Sequence, residues 1–155
     1  MLAIYLNDHL AGATLACDLA KRAAGSNRGS SYGPFLERLE AEIAEDRESL
    51  LEVMRALGAG VDRLKLFVAW GGEKLGRFKF NGRLLGYSPL SRVEELELLA
   101  LGVTGKLALW RSLEALAPRE PRLGEFNFAL LARRAESQRE EIEAHRLRAA
   151  AEAFI

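Results

Sequence analysis

Apolar positions recur at helical spacing along nearly the whole chain. Between residues 34 and 57 they fall at Leu36, Leu39, Ile43, Leu50, Val53 and Leu57, with Asp46 in the same register. Steps alternating between three and four draw one stripe down a helix. The C-terminal stretch repeats the pattern at Leu131, Ala135, Ile142 and Ala149, with Gln138 and His145 in register. Between residues 88 and 117 the stripe is Val93, Leu96, Ala100, Val103, Leu107 and Trp110. Near the N-terminus Leu2, Leu6, His9, Ala13, Ala16, Ala20 and Ala23 form one stripe, but its flanks are apolar too, which predicts burial on several sides. A glycine inside a helix costs about 1 kcal/mol relative to alanine. Gly12, Gly102 and Gly105 therefore predict close contact with a neighbouring helix.

Turn chemistry divides the chain into five helical segments. The first runs from Leu2 to Ala24 and ends in the loop Gly25–Ser31. The second starts near Pro34, a residue suited to a first helical turn, and stops after Leu57 at Gly58-Ala59-Gly60. Asp62 opens a third, to about Phe80, before an Asn81-Gly82 turn. Ser88-Pro89 and a capping box at Ser91-Arg92-Val93-Glu94 open the fourth, which ends before Pro118. A loop to Gly124 leads into the fifth. Sustained period-two alternation is missing, so no sheet is expected. Helices of about 35–45 Å joined by short loops pack side by side. The expected fold is all-α, one domain over residues 1–155: an up-down helical bundle with a four-helix core and one extra helix.

Composition narrows the function classes. The 155 residues are 49% apolar and 28% charged, with 22 basic and 22 acidic side chains. Zero formal charge argues against general nucleic-acid binding or attraction to an acidic membrane face. Cys17 is the only cysteine, so no disulfide forms within the chain. Met1–Leu19 lacks a basic region typical of a signal peptide, and no run is long and apolar enough to span a bilayer. A cytoplasmic location is expected. Templates for catalysis are absent: no Gly-x-Ser-x-Gly, phosphate loop, Cys-x-x-Cys or dinucleotide fingerprint occurs.

The informative anomaly is polar residues on stripes that should be apolar. Asp46, His9, Gln138 and His145 are such residues. A buried charge pairs, binds a metal or ligand, or changes its protonation. Glu42 borders the face of Asp46, Glu94 and Glu97 lie one turn apart, and Glu141 and His145 are spaced i, i+4. One reading is a structural network that fixes helix register, with Asp46 pairing to His145, His9 or arginines such as Arg47 and Arg146. The alternative is a metal site from His9, Glu42, Asp46, Glu94, Glu97 and His145, suited to iron or manganese.

Inward carboxylates on long helices, with residues 58–88 as a crossover, resemble the ferritin-like superfamily of carboxylate-bridged bundles. The strings at Tyr5–Ala13, Ala41–Leu50 and Phe80–Arg92 also resemble a group of small helical bacterial proteins. The superfamily implies a bundle and a metal motif of Glu-x-x-His on two helices plus a lone Glu on each of the others. Here Glu42-x-x-Glu45 carries Glu where His is needed, and Ile142 stands three before His145.

From Lys74 to Arg92 five basic residues interleave with Phe78, Phe80 and Tyr87 and no acid intervenes. Arg77, Lys79 and Arg83 form a candidate phosphate-ligand patch. The other reading is neutralisation against the second helix, which carries seven acids and three arginines. Taken together, the sequence predicts a non-enzymatic binding or assembly protein with no resident cofactor, as a homodimer, since alanine-rich faces and neutral charge favour association.

Overall fold

The computed structural model describes residues 1–62 and 87–155. Four helices make up most of them: α1 (Leu2–Ser26), α2 (Gly33–Ala56), α3 (Pro89–Leu116) and α4 (Phe128–Phe154). Two short 3-10 turns, Ala117–Arg119 and Pro121–Leu123, link α3 to α4, and no strand occurs among the described residues. The all-helical expectation therefore holds for them. The helix expected from Asp62 to Phe80 lies outside them beyond its first residue, as do Asn81-Gly82 and the patch Arg77, Lys79 and Arg83.

Local chemistry accounts for the helix ends. Asn27 terminates α1 by donating its side-chain amide to the Ala23 carbonyl at 2.8 Å. At the end of α2, Gly58 takes a positive φ of 66°. Gly58 N–H then reaches Arg55 O and Ala59 N–H reaches Met54 O, a Schellman closure that satisfies the last carbonyls. The α3 cap lies one turn earlier than the sequence reading placed it. Ser88, not Ser91, is the N-cap: its hydroxyl accepts from Ser91 N–H at 3.2 Å, and the Ser91 hydroxyl accepts from Ser88 N–H at 3.4 Å. Pro89 decides this, because a ring with fixed φ and no N–H fits the first helical position. Asn127 caps α4 by accepting from Leu130 N–H at 2.9 Å.

Cross-helix bonds set the directions. Arg22 meets Glu95 and Tyr5 meets Ser112, so α1 and α3 are antiparallel. Arg47 donates to Thr14 across α1 and α2, and Arg134 reaches Glu45 while Gln138 reaches Glu42 across α2 and α4. Arg92–Glu152 and Glu97–Arg146 tie α3 to an antiparallel α4. It follows that α2 and α3 run the same way. The up-down expectation holds within each pair and fails between them. The chain leaves the described region beside Asn7, which donates to Gly60 O and accepts from Asp62 N–H. It returns at Tyr87 beside Asn27, twenty residues along α1, or about 30 Å away.

The core confirms most predicted stripes. On α2 Leu36, Leu39, Ile43, Asp46, Leu50 and Val53 are all buried, and Leu57 is half-buried. Trp110, Leu96 and Leu99 of α3, and Ala135 and Ile142 of α4, are enclosed. Each such leucine contributes about 1.5–3 kcal/mol of burial. On α1 the expectation of burial on several sides is corrected. Leu6, Leu10, Ala20, Ala23 and Ala24 are buried, but everything from Ala13 to Leu19 is only half-buried. There Thr14 and Cys17 meet α2, while Ala13 and Ala16 face open space.

Candidate functional site

That open space is a cleft of about 390 Å³ between α1 and α3, floored by α2. Its apolar wall includes Ala13, Ala16, Leu50, Leu99, Val103 and Leu109. Gly12, Gly102 and Gly105 also line it. The sequence reading gave these glycines a close helix contact, and only Gly102 bears that out. A Cβ built on Gly102 would lie 3.9 Å from Ala16 Cβ, an ordinary contact. A Cβ on Gly12 or Gly105 would meet no atom within 4 Å. Two helix-weakening residues therefore keep the walls clear without packing against anything described.

Beneath the cleft lies a buried ion network from three helices. Asp46 is only 3% exposed. Its Oδ2 accepts from the Lys106 ammonium and its Oδ1 from the Arg134 guanidinium. Lys106 also donates to Gln138 Oε1 at 2.5 Å, and Gln138 Nε2 donates to Glu42 at 2.9 Å and to Asp46 Oδ2 at 3.3 Å. Arg134 extends the network to Glu45 at 3.0 Å. Burial lowers the Lys106 pKa, against the pull of Asp46 in the other direction. An ammonium has three donors, and among the described residues two are used. Lys106 itself lines the cleft, as do Asp46 and Arg47. Trp110 contributes to the same wall, and its buried indole N–H has no partner among the described residues.

His9 stands in the cleft wall with its ring edge-on to Tyr5, centroids 4.5 Å apart. Burial lowers its pKa and neighbouring Asp8 partly opposes this. Cys17 is half-buried, its thiol 3.9 Å from Ile43 O and its pKa raised by burial, as suits a packed cysteine.

The six residues proposed for metal do not gather. Among the described residues no group of three His, Cys, Asp or Glu side chains could hold a metal ion. Glu42 and Asp46 are joined, but through Gln138 and facing cations. Glu97 pairs with Arg146 at 3.4 Å, and Glu94 sits half-buried on α3. His145 stacks on Phe35 with centroids 3.8 Å apart, its Nδ1 2.9 Å from Glu141 O. The expected pairing of Asp46 with His145, His9, Arg47 or Arg146 is thus replaced by Lys106 and Arg134. Both are long side chains that reach the carboxylate from neighbouring helices. One signal for Lys106 was present: it is the only lysine after Lys79 in an arginine-biased chain.

A second polar cluster went unpredicted. Buried Asn27 donates to the Tyr87 hydroxyl at 2.6 Å and accepts from Arg92 at 2.7 Å. Tyr87 donates to Glu95 at 3.0 Å, and Glu95 also takes Arg22 at 2.9 Å. Burial pushes the Tyr87 hydroxyl up to about 12. Arg92 and Arg148 lie over the Tyr32 ring at 4.3 and 4.5 Å. Arg92, read from sequence as a partner for acidic α2, pairs with Glu152 of α4 instead. This cluster joins α1, α3 and α4 where the chain re-enters the bundle.

Among the described residues, no helix is long and apolar enough to cross a membrane. Comparison with family models, curated proteins and solved structures finds no match to the chain.

Proposed function

We propose that the chain is a non-catalytic binding protein that holds a small apolar molecule in the cleft between α1 and α3. The observation that carries this reading is the pair Gly12 and Gly105, whose missing side chains leave open volume and fill no contact. Small-molecule sites are about 300–1,000 Å³ and mostly apolar with a few polar groups. A volume of 390 Å³ falls in that range. Asp46 is engaged by Lys106 and Arg134, and Glu42 by Gln138, which favours an organic guest over iron or manganese. The single long connection between two parallel middle helices supports the resemblance to ferritin-like bundles, from which only the helix arrangement is taken.

Titration with the neutral fluorophore N-phenyl-1-naphthylamine tests the reading. The wild type is expected to bind it saturably at one site. Gly12→Leu with Gly105→Leu is expected to weaken binding at least tenfold while retaining helical circular dichroism and cooperative unfolding. Equal binding by both proteins would remove the cleft from consideration.

Self-association is a separate reading, motivated by Leu98 and Leu101, which stand side by side on α3 at 53% and 69% exposure. Sedimentation showing a strict monomer at high concentration would exclude the homodimer.

A further inference from the structure

We infer that the guest of this cleft carries a carboxylate and places it on Lys106. The inference rests on the binding reading above and names the chemistry of the ligand's head.

Lys106 is the polar group best placed to select a guest. Its side chain is 15% exposed, and it contributes to the wall of the cleft. Asp46 Oδ2 and Gln138 Oε1 take two of its N–H donors. Neither can readily take the third. Asp46 is already shared with Arg134 and accepts from Gln138 as well, and Gln138 turns its amide nitrogen toward Glu42. A largely buried donor with no acceptor among the described residues is costly, about as much as a lost hydrogen bond. An acceptor oxygen delivered through the cleft would satisfy it.

The charge on Lys106 decides which acceptor it takes best. The lining also holds Arg47, which pairs with Glu48 at 2.8 Å, and one further acid, Asp8, while burial favours the neutral form of His9. Asp46 is committed to two cations. An ionised carboxylate therefore makes a charge-assisted bond to Lys106, stronger than an alcohol or ketone would make. An amine placed on Lys106 would meet a like charge and no acceptor. The rest of the wall is mostly leucine, valine, alanine and glycine, with Tyr5, Asp8, His9 and the Trp110 indole as its polar exceptions, so the body of the guest is mainly apolar.

Isothermal titration with decanoate and decan-1-ol at pH 8 tests this. Wild type is expected to bind decanoate at least tenfold more tightly than decanol. In Lys106→Met that preference should vanish through loss of decanoate affinity, with decanol unchanged. Should Lys106→Met not fold, decanoate labelled with ¹³C at the carboxyl answers on the wild type. Its bound carboxyl should protonate at lower pH than in water, and its α-protons should show cross-relaxation to the Lys106 side chain. Equal wild-type affinities for decanoate and decanol would overturn the carboxylate inference and leave the cleft reading standing. A preference that survives Lys106→Met, or labelled decanoate with an unshifted titration, would also overturn it. Failure of both ligands to bind would overturn the inference and the binding reading together.

Discussion

Replacing the carboxylate at 46 while leaving its cations in place should cost more stability than replacing one cation. Asp46 is buried and shared between Lys106 and Arg134. Two unit charges about 4 Å apart at an effective dielectric of about 20 attract by about 4 kcal/mol before desolvation is counted. Asp46→Leu removes that attraction for both cations. Arg134 keeps Glu45 at 3.0 Å and is 30% exposed, so its loss is small. Lys106 keeps only Gln138 and remains mostly enclosed. The expected destabilisation is about 3 kcal/mol, at the low end for one partner removed from a buried pair. Lys106→Met leaves Asp46 with Arg134 and Gln138 and removes a buried ammonium, so about 1 kcal/mol is expected. The double variant should cost about 1.5–2 kcal/mol, less than the sum of the singles, giving a coupling of about 2 kcal/mol. Urea unfolding at pH 7 with unchanged m-values measures all four corners. Additivity within about 0.5 kcal/mol would show that the two side chains do not depend on each other and refute the network as described.

Three further outcomes follow from particular contacts. Gly105→Ala should stabilise the protein by about 0.5–1 kcal/mol, because helix propensity improves and the new methyl meets nothing within 4 Å; a loss of stability in urea would mean the space is filled. Ser88→Ala should cost about 1 kcal/mol by leaving the Ser91 N–H without its cap, while Ser91→Ala costs less; equal and negligible losses would contradict the cap assignment. Burial depresses the His9 pKa below its unfolded value of about 6.5, so the unfolded chain takes the proton first. The stability this group contributes is complete above that value and is lost as pH falls through the depressed folded pKa. His9→Gln should flatten the slope of unfolding free energy between pH 5 and 7, and an unaltered slope would show that the ring is not desolvated.

Much of the fold was legible because helix stripes and turns are local. The spacing of Leu36, Leu39, Ile43, Leu50 and Val53 repeats within one turn, and burial of that face needs no knowledge of what covers it. Asp46 and Gln138 were readable as anomalies for the same reason. Their partners were not, because a carboxylate on a stripe is equally satisfied by any cation that a neighbouring helix brings within reach. Lys106 stands sixty residues from Asp46, and only packing of α2 against α3 and α4 joins them.

The glycines show the limit most plainly. By itself the sequence determined that Gly12, Gly102 and Gly105 lie inside helices and weaken them, since propensity is a property of the local backbone. Whether a weakened position receives a neighbour or opens onto space depends on where another helix runs. Tertiary structure decided it: α1 comes close to Gly102 through Ala16, while Gly12 and Gly105 are left open, and the parallel course of α2 and α3 was set there too. Direction and separation between helices arise from side chains meeting across the bundle, and no periodicity along one strand of sequence encodes them.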